Sequence, residues 1–519
     1  MGPDSGRGSS LRKQAGLQGG ARPGSQRWEG ACVARGSFNP FETVSPWDHR
    51  YAVGQPHLYQ VWRQYLSEAA TLRYQLQVEA ALVAGLEEMG VAPPGSGARV
   101  AEAAARVEAE AIAQEEARTR HSIRALVNCL AREAGADLAP WIHLGATSSD
   151  ITETARSLQY RESLDRFLLP QLVALLEAWM ALAEREAATP QIGRTHGQHA
   201  VPITFGFAIA LYVERLGGRI EQLQAAREGL VGKLTGAVGA YNALSLLVED
   251  PEELERRVLA RLGLRPAPVA SQILPPEPFA DLFHALTSTF GVLANFADDM
   301  RHLQRSELGE VAEAVTAEQV GSSTMPHKRN PWNFEHVKSL WKVAMPRMIT
   351  VYLDQISEHQ RDLTNSASSR FLVELFVALS QAADRLTRLS RRLQVDRERM
   401  AANLERERPL WVAEPLYILL ARHGHPEAHE VARRLAARVR EEGGDLLQAL
   451  EEARQRDPQL DQVAAALTPE ERALLREPLR YQGRAEARAR ATVARWRARV
   501  AQWAIAPWRE EVSPWNGLC

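Results

Sequence analysis

The chain has 519 residues, enough for two to four units sharing a large core, and its 62 Lys and Arg against 64 Asp and Glu leave a formal charge of -2. That balance excludes a general attraction to nucleic acid or an anionic membrane, so any anionic ligand must be held by local clusters. Three scattered cysteines, Cys32, Cys129 and Cys519, give neither a disulfide framework nor zinc-ligand spacing, and a reducing cytoplasm is the expected setting.

Residues 1–40 are rich in Gly, Ser and Arg and carry no periodic apolar face, so they read as a disordered basic tail. The arginines would suit a transit peptide, but the glycines and the missing amphipathic pattern would not; a start site assigned too early is the other reading. From about Phe41 the pattern becomes helical, with strand-like alternation almost absent. It predicts an all-α fold of three helical domains: an N-terminal domain over 41–144, a central bundle of long helices over 145–393 and a C-terminal domain over 394–519. The central segments 168–184, 205–230, 281–303, 337–355 and 371–393 share the same spacing. In 281–303, Leu282, Leu286, Phe290, Leu293, Ala297 and Met300 keep one apolar face over about six turns. Gly/Pro-rich breaks at 91–97, 264–278 and 423–426 mark junctions or turns. The longest apolar stretch, about 200–213, is broken by Pro202 and ends at Glu214, short of the roughly 20 residues a membrane helix needs.

Three motifs carry chemistry. His143-Leu144-Gly145-Ala146-Thr147-Ser148-Ser149-Asp150 reads as a helix N-terminus, where capping hydroxyls and free amides also suit an anion. Gly193-Arg194-Thr195-His196-Gly197-Gln198-His199 precedes a long helix; its two histidines could be a metal pair, but no third ligand or His-Glu-x-x-His pattern accompanies them. Gly321-Ser322-Ser323-Thr324-Met325-Pro326-His327-Lys328-Arg329-Asn330-Pro331 opens on small residues and ends on cations. By composition it is an anion-binding loop or an exposed basic loop.

The last string resembles the signature loop of the fumarase/aspartase superfamily, Gly-Ser-Ser-x-Met-Pro-x-Lys-x-Asn, at every fixed position. The resemblance implies a lyase that breaks a carbon–nitrogen bond and releases fumarate. Ser322 would be the general base at the carbon beside a carboxylate, and Lys328 and Asn330 would bind substrate. A serine can act so only if amides and cations stabilise its alkoxide where water is excluded. The segment from Gly193 is similar to the superfamily's second region, so Thr195 and His196 become the Thr-His pair, with His196 the general acid. A histidine titrates near working pH and can protonate the departing nitrogen. The segment from His143 is similar to the first region, which makes Thr147 and Ser148 the grip on a substrate carboxylate and His143 a supporting histidine.

Weaker matches narrow the resemblance to the adenylosuccinate lyase family. Ser45-Pro46-Trp47-Asp48-His49-Arg50-Tyr51 resembles that family's nucleotide-binding Arg-Tyr segment, and Gln360-Arg361-Asp362-Leu363-Thr364-Asn365-Ser366 with Arg370 resembles its second one. Arg50, Arg361 and Arg370 would hold the phosphate or ribose side, since a guanidinium gives two parallel bonds. Tyr51, Ser366, Gln272 in the Ser271-Gln272 loop, and Arg120-His121-Ser122 complete the implied binding set. Ser122 stands where the family has Asp, and His336 where it usually has Asn, both at expected substrate contacts. The resemblance implies cleavage of adenylosuccinate to AMP and fumarate, and of the related succinyl-aminoimidazole-carboxamide ribotide, in purine nucleotide biosynthesis. No metal, flavin or nicotinamide motif is visible, so no cofactor is expected, and the resemblance implies a homotetramer whose active sites are shared between subunits. Two readings stay open: another succinyl-amine such as argininosuccinate, and a helical structural relative without catalysis.

Overall fold

The computed structural model describes Asn39 and residues 42–314, 324–358, 360–406 and 408–508. The expected tail, apart from Asn39, and the proposed base Ser322 lie outside them. The chain up to Gly54 is a unit of its own. Its described part holds one π-helical turn, Trp47–Tyr51, with the Trp47 and Tyr51 ring centroids 4.7 Å apart.

From Gln55 onward the chain is one compact unit. Five helices open it: α1 (Pro56–Leu66), α2 (Glu68–Glu88), α3 (Ser96–Ala104), α4 (Ala109–Thr119) and α5 (Ser122–Ala134). They close over a core that includes Tyr74, Val83, Val100, Ile112, Leu126 and Leu130. Then come α6 (Ser148–Ser163) and α7 (Leu169–Arg185), joined by a π-helical turn at Leu164–Leu168. Pro170 explains that turn: its ring lacks an N–H and crowds the preceding carbonyls, so the ladder widens just before it. Together these elements form one continuous helix of 38 residues, Ser148–Arg185. By length and composition it could cross a membrane, but its most apolar window is mostly buried against neighbours, as in a core helix.

A hairpin follows, β1 (Pro190–Thr195) with β2 (Gln198–Thr204), which the apparent absence of alternation did not predict. The helices α8 (Phe205–Gly229), α9 (Pro251–Arg261), α10 (Glu277–Leu303), α11 (Trp332–Ala344), α12 (Pro346–Leu353) and α13 (Val373–Arg392) come next. Where the periodicity suggested one helix over 337–355, the chain breaks at Met345-Pro346, because proline cannot donate into the helix it interrupts. Helices α7, α8, α10, α11 and α13 pack as the central bundle. Its axis is aromatic: Trp179 stacks on Phe296 at 4.4 Å, and Tyr160 meets Phe283 edge-on at 5.3 Å and stacks on Phe376 at 5.4 Å. Such pairs add about 0.5–1.5 kcal/mol each beyond burial.

The C-terminal part consists of α14 (Arg397–Arg406), α15 (Ala413–Arg422), α16 (Ala428–Glu442), α17 (Leu446–Arg454), α18 (Pro458–Ala466), α19 (Pro469–Arg476) and α20 (Ala485–Val500). Leu416, Leu420, Leu435, Leu450 and Leu460 form its core. α20 returns to the bundle, where Trp496 lies against Gly217 of α8, at which any Cβ would collide with the indole. Trp496 donates to Glu214 at 2.8 Å and Arg497 pairs with Glu184.

One buried pair lies beneath the first motif. Asp150 and Lys233 have fully buried side chains and form an ion pair. The Asp150 carboxylate also accepts from the backbone N–H of Thr147 at 2.9 Å and of Thr235 at 3.0 Å. Lys233→Met would strand that carboxylate without its charge partner. It should cost about 3–5 kcal/mol in urea unfolding, and Asp150→Asn added to it should cost less than the sum of the two single changes.

Candidate functional site

The expected site residues fall into two groups within the chain. The first gathers at the N-terminus of α6. Thr147 is its N-cap and Ser148 its first residue. Three loops converge there. The Arg361 guanidinium hydrogen-bonds the Ser149 hydroxyl and, at 3.3 Å, Gln272 Oε1; Arg361 Nε donates to the Asp362 carbonyl at 3.0 Å. Gln272 Nε2 donates to the Ala237 carbonyl at 3.0 Å, and Ser271 Oγ to the Gln360 carbonyl at 2.9 Å. Two of the motifs and the Gln272 loop thus meet through direct contacts, with Arg361 at the centre.

Electrostatics say what this group can do. A helix N-terminus carries about half a positive charge. Arg361 adds a full one, while Asp150 is paired with Lys233 behind it. The excess suits a carboxylate or phosphate, to which exposed amides, hydroxyls and a guanidinium all donate.

His143 lies four residues before the cap, in left-handed backbone (φ 61), with Nδ1 2.6 Å from Glu79 Oε1 on α2. Burial pulls the imidazole pKa down, but the Glu79 hydrogen bond and the charges of Glu79 and Asp150 outweigh it, so the pKa is raised. His121 is the N-cap at the α4–α5 joint, its Nδ1 accepting from Arg124 N at 3.2 Å. Arg120 supplies the left-handed residue of that joint (φ 54), and Ser122 opens α5. Ser366 and Arg370 are exposed on the loop beyond Arg361 and make no hydrogen bond to its group among the described residues. Arg50 and Tyr51 lie on the Trp47–Tyr51 turn.

The second group lies at the other end of the α6–α7 helix. Thr195 ends β1, and His196-Gly197 forms the two-residue turn, both residues left-handed (φ 55 and 73). A tight hairpin requires that geometry, and it leaves Thr195 and His196 exposed at the tip. The hairpin is held by Glu310, whose side chain is buried. Gln191 donates to it at 2.8 Å, Arg194 at 3.2 Å and Asn403 at 2.9 Å. Glu310 begins the segment Glu310–Ala314 that leads into the signature loop, so one carboxylate ties the hairpin to the loop's root. Beside them opens a cleft of about 1870 Å³, lined by Arg194, Gly197, His199, Lys328, Arg329 and Asn330 among others. Cations outnumber carboxylates among its described lining residues. Its lining contains none of His143, Thr147, Gln272 and Arg361.

Ser149, Glu79, Lys233 and Glu310 escape the sequence reading. Ser149 lay inside a quoted motif, and its contact with Arg361 spans 212 positions. Glu79 and Glu310 are single acids in ordinary helical or loop text, and the only signal available would have been an acid at a core position of an apolar pattern.

The chain matches two family models, the lyase family over residues 49–345 and the adenylosuccinate lyase C-terminal family over residues 357–472. It is 38% identical to the adenylosuccinate lyase of Pyrococcus horikoshii over 79% of this chain and 90% of the relative. With the adenylosuccinate lyase of Methanocaldococcus jannaschii it shares 33% identity over 85% of this chain and 94% of the relative. Among solved structures, it is similar to the 3-carboxy-cis,cis-muconate lactonizing enzyme of Pseudomonas putida, with a TM-score of 0.73 and 28% identity over 85% of this chain and 97% of the other. A fumarate lyase from Mesorhizobium sp. BNC1 gives a TM-score of 0.73 and 26% identity over 83% of this chain and 97% of the other. The chain belongs to the adenylosuccinate lyase family of the fumarase/aspartase superfamily.

Proposed function

We propose that the protein eliminates fumarate from adenylosuccinate to leave AMP, and from succinyl-aminoimidazole-carboxamide ribotide in the same way, in cytoplasmic purine nucleotide biosynthesis. Ser322 removes the proton from the carbon beside a substrate carboxylate. The electron pair of that C–H bond forms the fumarate double bond as the C–N bond breaks, and His196 protonates the departing nitrogen. Lys328 and Asn330 stabilise charge on the carboxylate as it develops, which is where fixed donors contribute most. The observation that carries this reading beyond family membership is Arg361, seated between Ser149 and Gln272 at the α6 N-terminus. A fork-shaped cation beside a helix N-terminus suits an oxyanion such as the 5'-phosphate. Arg50, Tyr51, His121, Ser366 and Arg370 are assigned to the same nucleotide by family pattern.

The same geometry supports sites shared between subunits of a homotetramer. Thr147-Ser148 stand at the start, and His196 beyond the end, of a 38-residue helix, about 55 Å long at 1.5 Å per residue. The eleven residues from Glu186 to His196 span at most about 40 Å even if fully extended. Even fully extended back along the helix, that segment leaves a gap of about 15 Å, which favours combining copies at one site. Ile349, Tyr352, Leu353 and Ile356, exposed along α12 and just beyond it, form an apolar face of the kind that marks a protein contact.

Purified protein should release fumarate from adenylosuccinate; release from argininosuccinate alone would overturn the substrate assignment. Ser322→Ala and His196→Ala should each lose about 10²–10⁴-fold in kcat with unchanged circular dichroism. If the two residues act from different copies, unfolding and refolding the two inactive variants together should restore activity, approaching about a quarter of the wild-type level for random assembly. Failure of the mixed protein to regain activity, with assembly intact, would count against shared sites.

A further inference from the structure

The side chain of Glu79 is fully buried, and its Oε2 has no hydrogen-bond partner among the described residues. Among the described residues its Oε1 accepts one hydrogen bond, from His143 Nδ1 at 2.6 Å. A carboxylate in such a place lowers stability unless it faces a positive charge, because it gives up hydration for a single partner. Its neighbours on α2, Val78, Ala80 and Val83, belong to an apolar core. The carboxylate therefore makes sense for what it does to the histidine.

With Nδ1 engaged, the ring has one nitrogen left. Nε2 has no protein partner among the described residues, and it is not among the buried unsatisfied atoms, so solvent or a ligand can reach it. His143 is followed by Gly145 and the Thr147-Ser148 cap, the end of α6 to which Arg361 is also brought.

We infer that Glu79 is a positioning residue: its buried carboxylate keeps His143 as an imidazolium of fixed orientation, so that Nε2–H is offered as a charged donor to the anionic substrate at the α6 N-terminus. The inference rests on the reading of that end of α6 as a substrate site. Three charged groups face the ring: Glu79 on α2 and Asp150 on α6 hold the proton on, and Arg124 on α5 opposes them. A histidine whose pKa is raised in this way keeps its charge to higher pH than a free imidazole and loses it as pH rises through the raised value. Anion binding through it is therefore complete below that pH and lost above it. Removing the Glu79 charge moves the loss to lower pH.

The test uses the full-length enzyme with adenylosuccinate and compares wild type, Glu79→Gln, His143→Gln and the double variant. The amide of Glu79→Gln still accepts from Nδ1 but carries no charge. KM at pH 8 should rise about tenfold, the size of one charge-assisted hydrogen bond, with kcat changed by less. The high-pH limb of kcat/KM should move to lower pH, and in the His143→Gln background Glu79→Gln should add nothing. A merely structural Glu79 would move neither the limb nor the cycle. An unshifted limb in a folded Glu79→Gln enzyme, or an equal effect of that change in the His143→Gln background, overturns the inference. Should Glu79→Gln fail to fold, His143→Gln alone decides: its limb disappears if the imidazolium binds substrate, and a limb unchanged from wild type rejects the inference. Wild-type enzyme that releases no fumarate from adenylosuccinate would overturn the reading of the site and this inference with it; wild-type turnover with an unshifted Glu79→Gln limb would remove the Glu79 role alone.

Discussion

The ion pair between Asp150 and Lys233, closed off from solvent, is the constraint on which the first half of the site depends. Asp150 sits on the first turn of α6, where a carboxylate suits the helix dipole. Its oxygens reach back to the Thr147 amide and across to the amides of Thr235 and Gly236. Lys233 is anchored in turn, since Thr154 Oγ1 donates to its carbonyl at 2.9 Å and accepts from its amide at 3.0 Å. The loop fixed this way carries Ala237, whose carbonyl receives Gln272, and Gln272 in turn meets Arg361. One buried carboxylate thus sets the cap, the loop beside it and, through two further contacts, the arginine expected at the nucleotide.

Glu310 does the same work at the far end of the long helix. It collects donors from the hairpin and from α14, and the segment it begins runs toward the signature loop. Both anchors are buried acids that accept several donors, and both stand behind residues assigned to chemistry. The arrangement follows from a general difficulty. Loops and hairpin tips carry functional groups but have little packing of their own, so their geometry must be fixed from beneath by groups that cannot relax without leaving polar atoms unsatisfied.

What was legible in the sequence follows the range of the interactions involved. The spacing from Leu282 to Met300 is local, and α10 appears over Glu277–Leu303, within a few residues of where that spacing put it. The cap at Thr147 was legible for the same reason, because its partner Asp150 is three residues away. The hairpin around His196 was not: its turn pair, His196-Gly197, lacks the usual Asn-Gly or Asp-Gly signal, and its strands contain Pro190 and Pro202, which dilute alternation. The contact of Glu79 with His143 crosses 64 positions and that of Asp150 with Lys233 crosses 83. No single-chain pattern encodes such pairings. Recognition of the motifs supplied the reaction class, whereas the supporting acids became visible only when the chain was folded.

The distribution of charge bears on the choice of substrate. The chain is close to neutral overall, yet the α6 end presents Arg361 beside a helix N-terminus, and the cleft beside the hairpin presents Arg194, Lys328 and Arg329. In the proposed assembly these two cationic surfaces, from different copies, face one substrate. Like charges brought together in a site that excludes water repel strongly unless counter-charge enters with the ligand. Adenylosuccinate supplies a phosphate at one end and a pair of carboxylates at the other, so each surface meets an anion. Argininosuccinate has its guanidinium at the bond to be broken and ends in a zwitterionic α-amino acid, which would offer Arg361 one carboxylate beside an ammonium in place of a phosphate dianion. The electrostatics of the site therefore favour the nucleotide even though Ser122 and His336 depart from the family's usual residues.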